Sequence, residues 1–572
     1  MTNFIKTQTC FAHGEIAPEF YARDNIDGLS VLENMDVLSG GGLTRRKGLS
    51  KIAELKSDGR LISFSVGAGQ DYILVMSDKM IYIYSNGKCV GILQSPWVLS
   101  DLDKIQYAQR FDTIIFVHPD YRPQVLQKTA STFELSDFNF AIRESDISSY
   151  MPFMKFEDSN GVNITISASD RGATFAKFTT NKDFWTPEHV SSRILMLDKQ
   201  WIIREYVSPT EVHVYVNGTY TIPEKSISDW REQAFSNARG WPISITFHQD
   251  RLVFGGSRSY PGGIWMSKVG QHTNFDIGTG LDDEAIFLTL LSQQRQQICT
   301  VVSSDNLQIL TTVGEWAISS KPLTPSSVDI KLHTTVGSCA LRYLPPQKIE
   351  GKTIFISNSL RDIRELALDE LGEKYNATDL CAFAKHMLIS TPVDMAYNDN
   401  TKQLFVVLLS GNMAVLNQNS SLGIYAWGMY KTYGEFKSVV VIDDKTYVLV
   451  KRDDKYSLEC FAATAMRDVD KYDFAWRASS VPLRSSNHNA KNIRVRKITA
   501  RVLDTKSIFI NDNRVSLPDS IYSADSTGYC GDVSVNLLGT MHDALSPYWT
   551  IHGNEPYPTT VLSITVFGRY SI

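Results

Sequence analysis

Short apolar runs, each bounded by polar turn residues, punctuate most of the chain. They are Ile73-Leu74-Val75-Met76, Ile114-Ile115-Phe116-Val117, Leu252-Val253-Phe254, Leu307-Gln308-Ile309-Leu310, Thr353-Ile354-Phe355-Ile356, Leu404-Phe405-Val406-Val407 and Tyr447-Val448-Leu449-Val450. Runs this short, rich in β-branched and aromatic residues, predict buried strands rather than helices. With Leu74, Ile115, Val253, Ile309, Phe355, Phe405 and Val448 as markers, the spacings are 41, 138, 56, 46, 50 and 43 residues. All but one fit a unit of roughly 40–55 residues, the length of one four-stranded blade. The pattern therefore predicts a mainly β chain built on a β-propeller of six or seven blades.

The oversized interval holds period-2 segments of its own, such as Val162-Asn163-Ile164-Thr165-Ile166 and Glu211-Val212-His213-Val214-Tyr215-Val216. These predict a small inserted β domain that leaves the blades and returns. Ser85-Asn86-Gly87, between two alternating strands, predicts a tight hairpin. Ile227–Ala238 is the best candidate for a short helix. The expected organisation is an arm with little regular structure over 1–58 and first blades over 59–140. The inserted domain follows over 141–240, then the remaining blades over 241–465 and a C-terminal β-rich segment over 466–572.

At 572 residues the chain is too long for a single core. Its net charge of −5 excludes a global basic footprint for nucleic acid. Met1 to Cys10 lacks the apolar core of a secretory signal, and no apolar stretch is long enough to span a bilayer. Seven scattered cysteines (Cys10, Cys89, Cys299, Cys339, Cys381, Cys460, Cys530) include no Cys-x-x-Cys pair, which favours folding in a reducing cytoplasm and disfavours structural zinc.

Candidate chemistry is sparse. No Gly-x-Ser-x-Gly elbow or phosphate-binding loop is present, so nucleophilic catalysis and nucleotide hydrolysis lack an anchor. His118, His248 and His386 sit beside strand patterns and read as packing residues. The acidic run Asp276–Glu284 lacks the spacing of a calcium-binding loop and reads as a solvated loop. No cofactor or metal is expected. Two basic features stand out. Gly40-Gly41-Gly42 precedes Leu43-Thr44-Arg45-Arg46-Lys47-Gly48, and between Lys471 and Arg501 there are eight basic residues against one acid, Asp473. Arg494 and Arg496 fall on one strand face. That stripe faces a partner or phosphate, or else is a solvated face paired with acids from elsewhere.

Motifs spread through the chain resemble the tail nozzle (stabilisation or tail tubular protein B-like) proteins of short-tailed bacteriophages. They begin with Phe11-Ala12-His13-Gly14-Glu15-Ile16-Ala17-Pro18, Tyr21-Ala22-Arg23-Asp24, Leu32-Glu33-Asn34 and Gly41–Gly48. Gln106–Asp112, Val117-His118-Pro119, Gly240-Trp241-Pro242, Phe247–Gly256, Trp265-Met266-Ser267, Gly314-Glu315-Trp316, Thr378-Asp379-Leu380 and Ala426-Trp427 follow in order, with Pro547–His552 and Pro556–Leu562 closing.

The resemblance implies a structural virion protein without catalytic residues. It would form a homohexameric tube below the portal and its head-to-tail adaptor, assembled in the host cytoplasm and resident in the virion tail. Double-stranded DNA would pass through without specific binding, and tail fibres or spikes would attach around it. Arg45, Arg46, Arg494, Arg496 and Lys497 are the expected contacts to a neighbouring subunit or the adaptor, with an intramolecular clamp as the alternative for the first two. The competing class is a propeller that binds or depolymerises glycans, since the fold alone does not decide function.

Overall fold

A computed structural model describes residues 2–21, 27–67, 69–145, 147–168, 174–218, 220–223, 225–292, 294–482, 492–518, 521, 527–543 and 546–571. Among them, six four-stranded antiparallel sheets and four consecutive strands of a ten-stranded sheet supply the seven blades of a β-propeller. Blade 1 comprises Arg60–Ser65, Asp71–Ser77, Met80–Ser85 and Lys88–Gln94. Blades 2 to 5 occupy 106–137, 244–289, 298–334 and 347–379. Blade 6 comprises Pro392–Asn398, Gln403–Leu408, Met413–Asn419 and Ile424–Tyr430. Blade 7 comprises Glu435–Ile442, Lys445–Arg452, Lys455–Ala462 and a fourth strand, Gly48–Leu55, from far upstream.

Each of the seven apolar runs is the second strand of its blade. Their near-continuous hydrophobicity, interrupted only by Gln308 and Thr353, has a packing cause: successive side chains point to opposite faces, and both faces are buried. In blade 7, Val448 and Val450 pack with Phe405 and Val415 of blade 6. Leu449, between them, packs with Leu61 and Val75 of blade 1. Leu404 and Val406 of blade 6 face Ile354 of blade 5, while Phe405 and Val407 face blade 7. Blade 3 repeats this, with Phe254 towards Ile115 of blade 2 and Val253 towards Ile309 of blade 4.

The chain divides into two compact units: 1–92 with 344–368 and 377–572, and 93–343 with 369–376. The second unit carries the inserted domain, a seven-stranded sheet running from Phe153–Met154 to Ile164–Ala168 across its edges. Trp185, Trp201, Trp230 and Phe178 fill its separate core. The helix expected at Ile227–Ala238 does not form. Arg231–Gln233 is a strand there, because Trp230 serves the inserted core while Phe235 packs with Phe254 of blade 3. The predicted hairpin at Asn86-Gly87 does form, with φ of 47° and 77°, the left-handed pair of a type I′ turn.

The expectation of an irregular arm over 1–58 is overturned. Gly48–Leu55 hydrogen-bonds to Lys455–Ala462 and completes blade 7. Upstream, Gly14–Glu15 and Gly28–Glu33 pair in parallel with blade 6 at Trp427 and Met429, and the latter also pairs with Trp476–Ser480. Met35–Val37, Leu43–Arg45 and Thr2–Gln8 join a second sheet containing Thr560–Ser571, Asn492–Thr505 and Tyr529–Asp543. Residues from both chain ends thus share one core, which includes Phe11, Leu32, Trp476, Val495, Ile498, Trp549 and Ile564. The segment lacked a clear strand pattern because its strands are two to eight residues long and pair with distant partners.

Gly14 shows why this junction tolerates no side chain. Its φ is +59°, and an added Cβ would lie 2.4 Å from the Trp427 carbonyl oxygen. Gly14→Ala is therefore expected to destabilise the protein by about 2 kcal/mol or more, since left-handed strain and a backbone clash add; a melting temperature equal to wild type would contradict this placement.

Candidate interaction sites

Arg46, in the first unit, uses every donor of its side chain. Its Nε donates to Asn34 Oδ1 (2.8 Å), and Nη1 donates to the Lys47 carbonyl (2.9 Å) and Asp468 Oδ1 (3.0 Å). Nη2 donates to the Lys431 carbonyl (3.0 Å) and Asp468 Oδ2 (2.8 Å). Five guanidinium N–H groups thus meet five acceptors, two of them in a bidentate fork. Both side chains of the ion pair are fully buried. Asp468 also accepts from the Leu49 N–H (3.2 Å) and the Thr432 hydroxyl (2.7 Å).

Arg45 is buried beside it and donates through Nη2 to the Met466 carbonyl (2.6 Å). The Phe474 ring lies between the two guanidinium groups, 4.0 Å from Arg45 and 3.5 Å from Arg46. Burial, reinforced by Arg46, pushes the Arg45 guanidinium down to about 10. Of the two expectations for these residues, the structure places the intramolecular clamp; as buried groups they offer no surface to a neighbouring subunit.

Arg494, Arg496 and Lys497 are exposed on Asn492–Thr505, opposite the buried Ile493, Val495 and Ile498. A register shift between Val495 and Lys497 turns Arg496 and Lys497 outward together. Arg494 pairs in register with Arg569 on Thr560–Ser571, placing two cations side by side on one face. Among the described residues neither Arg494 nor Arg496 has an ion pair, whereas Arg501 bonds Asp532 at 2.8 Å. The Lys471–Arg501 run is not one stripe. Arg477 belongs to Trp476–Ser480 in the other sheet, Lys471 lies in a turn over the Tyr472 ring, and Arg484 and Lys491 fall outside the described residues.

The candidate histidines hold backbone and neighbours. His118 Nδ1 accepts from the Asp120 N–H (3.1 Å), and burial pushes its imidazole down to about 4. His248 Nδ1 lies 2.9 Å from the Ser303 hydroxyl. His386 Nε2 lies 2.9 Å from Glu15 Oε1, whose other oxygen accepts from the Leu32 N–H (2.7 Å). In the acidic loop, Glu284 Oε2 accepts from the N–H groups of Thr279, Gly280 and Leu281, so the loop closes on its own carboxylate. Arg251 is buried and donates to the carbonyls of Ser267, Asp282 and Glu284. Among the described residues no group of three His, Cys, Asp or Glu is placed to hold a metal ion. No described helix is long and apolar enough to cross a membrane.

No protein-family model matches the chain, and no curated protein sequence matches it. Among solved structures it is similar to the RRP9 WD40 repeats, at 7% identity and a TM-score of 0.36, covering 73% of this chain and 100% of that one. It is similar to the Myceliophteria thermophila Cps50 (Swd1) beta-propeller domain, at 8% identity and 0.35, covering 72% and 100%. A third is dihydro-heme d1 dehydrogenase NirN in complex with DHE, at 10% identity and 0.36, covering 75% and 78%. The propeller assignment rests on the strand pairings themselves.

Asp468, Asn34 and Asp36 carry these networks, and nothing local in the sequence singles them out. Asp36 accepts from the Tyr430 hydroxyl and from Gln403 Nε2 (2.8 Å), with Arg46 and Lys47 nearby. Burial dominates and pushes its carboxyl up to about 6.

Two outcomes are expected. Arg46→Met leaves Asp468 buried and uncompensated, so the protein should lose about 3–5 kcal/mol, read as a large drop in melting temperature; an unchanged value would contradict the clamp. For Asp36, the folded state binds a proton that the unfolded state has released between pH 4 and 6, so this group favours folding at low pH and opposes it above pH 6. Asp36→Asn should accordingly raise the melting temperature at pH 7.5 and lose that advantage as the pH approaches 4. A benefit that grows on acidification would refute this.

Proposed function

We propose that this chain is the wall-forming subunit of a tail nozzle of a short-tailed bacteriophage. In this reading it is a structural protein, assembled as a homohexamer below the portal and adaptor, that guides genomic DNA out of the virion and carries tail fibres or spikes. The observation that carries the proposal is the ordered series of motifs from Phe11 to Leu562, spread over nearly the whole chain.

The physics of the chain supports it. Many motif residues sit where backbone segments are stitched together: Gly14 against blade 6, Glu15 accepting from the Leu32 N–H, Arg46 in the clamp, Trp241 N–H to the Pro119 carbonyl, and Arg251 across three carbonyls. Residues serving a rigid wall should fall at such places. A conduit must hold its cargo weakly, since each neutralised phosphate adds a salt-dependent grip on DNA. A net charge of −5 suits that requirement. Arg494 and Arg496, which have no ion pair among the described residues, are with Lys497 then assigned to a neighbouring subunit or the adaptor.

Electron microscopy of the purified protein, alone and with portal and adaptor, should show rings with an axial hole. The combined charge reversal R494E/R496E/K497E should abolish ring formation or adaptor binding and leave the melting temperature within about 2 °C, since exposed substitutions change stability little. A protein that stays monomeric at every concentration and ignores the adaptor would overturn the proposal.

A further inference from the structure

Within the second unit, a cavity of about 440 Å³ lies beside the strand Arg193–Met196 of the inserted domain. A space of that size takes a small organic molecule. Phe140, Met151, Val190 and Trp241 are among its apolar lining residues. Among the described residues that line it, the charged ones are Arg122 and Arg193, and no carboxylate is present. Arg122 is committed elsewhere: Nε donates to the Phe138 carbonyl (3.2 Å), Nη1 to Asp137 Oδ2 (3.2 Å) and Nη2 to Asn139 Oδ1 (2.7 Å).

Arg193 is not so committed. Its backbone N–H donates to Gln233 Oε1 (3.0 Å), and its side chain is half-buried. Nη1 donates to Gln200 Oε1 (3.2 Å) and towards the Ile147 carbonyl (3.4 Å), both neutral acceptors. Nε and Nη2 have no partner among the described residues, and the side chain has no ion pair there. Burial, and then the neighbouring Arg204, push this guanidinium below its ordinary value, a cost that a bound anion would relieve.

Nε and Nη2 together form the edge with which an arginine grips two oxygens at once. This protein uses that edge on carboxylates three times over. Arg239 holds Glu232 by it (2.9 and 2.5 Å), Arg452 holds Glu459 (3.0 and 2.8 Å) and Arg501 holds Asp532 (2.8 and 3.1 Å). In the planar guanidinium the same edge lies opposite Nη1. Gln200 and Ile147, which Nη1 faces, line a smaller neighbouring cavity together with Asp198 and Lys199, and none of these four lines the larger one. The fork of Arg193 is thus turned from the smaller cavity towards the larger.

We infer that the larger cavity binds a small organic monocarboxylate, its two oxygens on Arg193 Nε and Nη2 and its apolar body among Phe140, Met151 and Trp241. One uncommitted cation balances one negative charge. A phosphate monoester would bring a second charge into a half-buried site where Arg122 is already paired, at a desolvation cost that nothing offsets. This assignment stands whether or not the chain builds a conduit.

Calorimetric and NMR titrations of the full-length protein test it, with benzoate and hexanoate as probes. Benzyl alcohol, phenyl phosphate and a glutamate blocked at both backbone ends serve as the comparison ligands. At least one of the two acids should bind with a dissociation constant on the order of 1 mM, the range of a few good contacts. Benzyl alcohol should bind at least roughly tenfold more weakly, because it cannot take both donors of the fork. Arg193→Lys keeps the charge but loses the fork, and should weaken acid binding roughly tenfold. Ile142, 52% exposed in the cavity lining, offers a second test: Ile142→Trp should obstruct the cavity and leave the melting temperature unchanged. The assignment is overturned if neither acid binds, if benzyl alcohol or phenyl phosphate matches benzoate, or if binding survives both substitutions unchanged. Tighter binding of the blocked glutamate would overturn the choice of a free acid and place the carboxylate on a partner chain.

Discussion

A strand laid down near the start of the chain can complete blade 7 only if it is held in register against residues synthesised some 400 positions later. The ladder between Gly48–Leu55 and Lys455–Ala462 supplies the pairing, and the Arg46–Asp468 ion pair fixes its end. Two charges withdrawn from water are costly unless every lone pair and proton finds a partner. Here the guanidinium uses all five donors, and the carboxylate accepts from a backbone N–H and a hydroxyl as well. Such a fully satisfied network tolerates one arrangement of the segments it joins.

The same logic extends through the junction of chain ends. Once Gly48–Leu55 is placed, the preceding forty residues have short tethers, and they run beside blade 6 and into the sheet formed by the C-terminal strands. Gly14 permits the close approach to Trp427, and Glu15 satisfies both a backbone N–H and His386. A resulting feature is the cavity over Asp36, walled by the blades and by the Met35–Val37 strand. The basic side chains that remain exposed on Asn492–Thr505 lie on this same composite domain, on the face opposite its core. Buried arginines serve cohesion, and exposed ones are available to partners.

What the sequence by itself determined was the centre of each blade, while it left their number at six or seven. Each apolar run is near-continuous because its alternate residues feed two neighbouring interfaces, a local signature independent of where the chain goes next. Asn86-Gly87 set its hairpin for the same reason, since two adjacent left-handed residues are a local demand. The tertiary structure alone decided which strand closes blade 7, that Arg45 and Arg46 but not Lys47 would be buried, and where Asp36, Gln403 and Asn417 meet. Those outcomes depend on desolvation and on partners hundreds of residues away, and an arginine destined for a buried carboxylate carries no mark in sequence that distinguishes it from one destined for water.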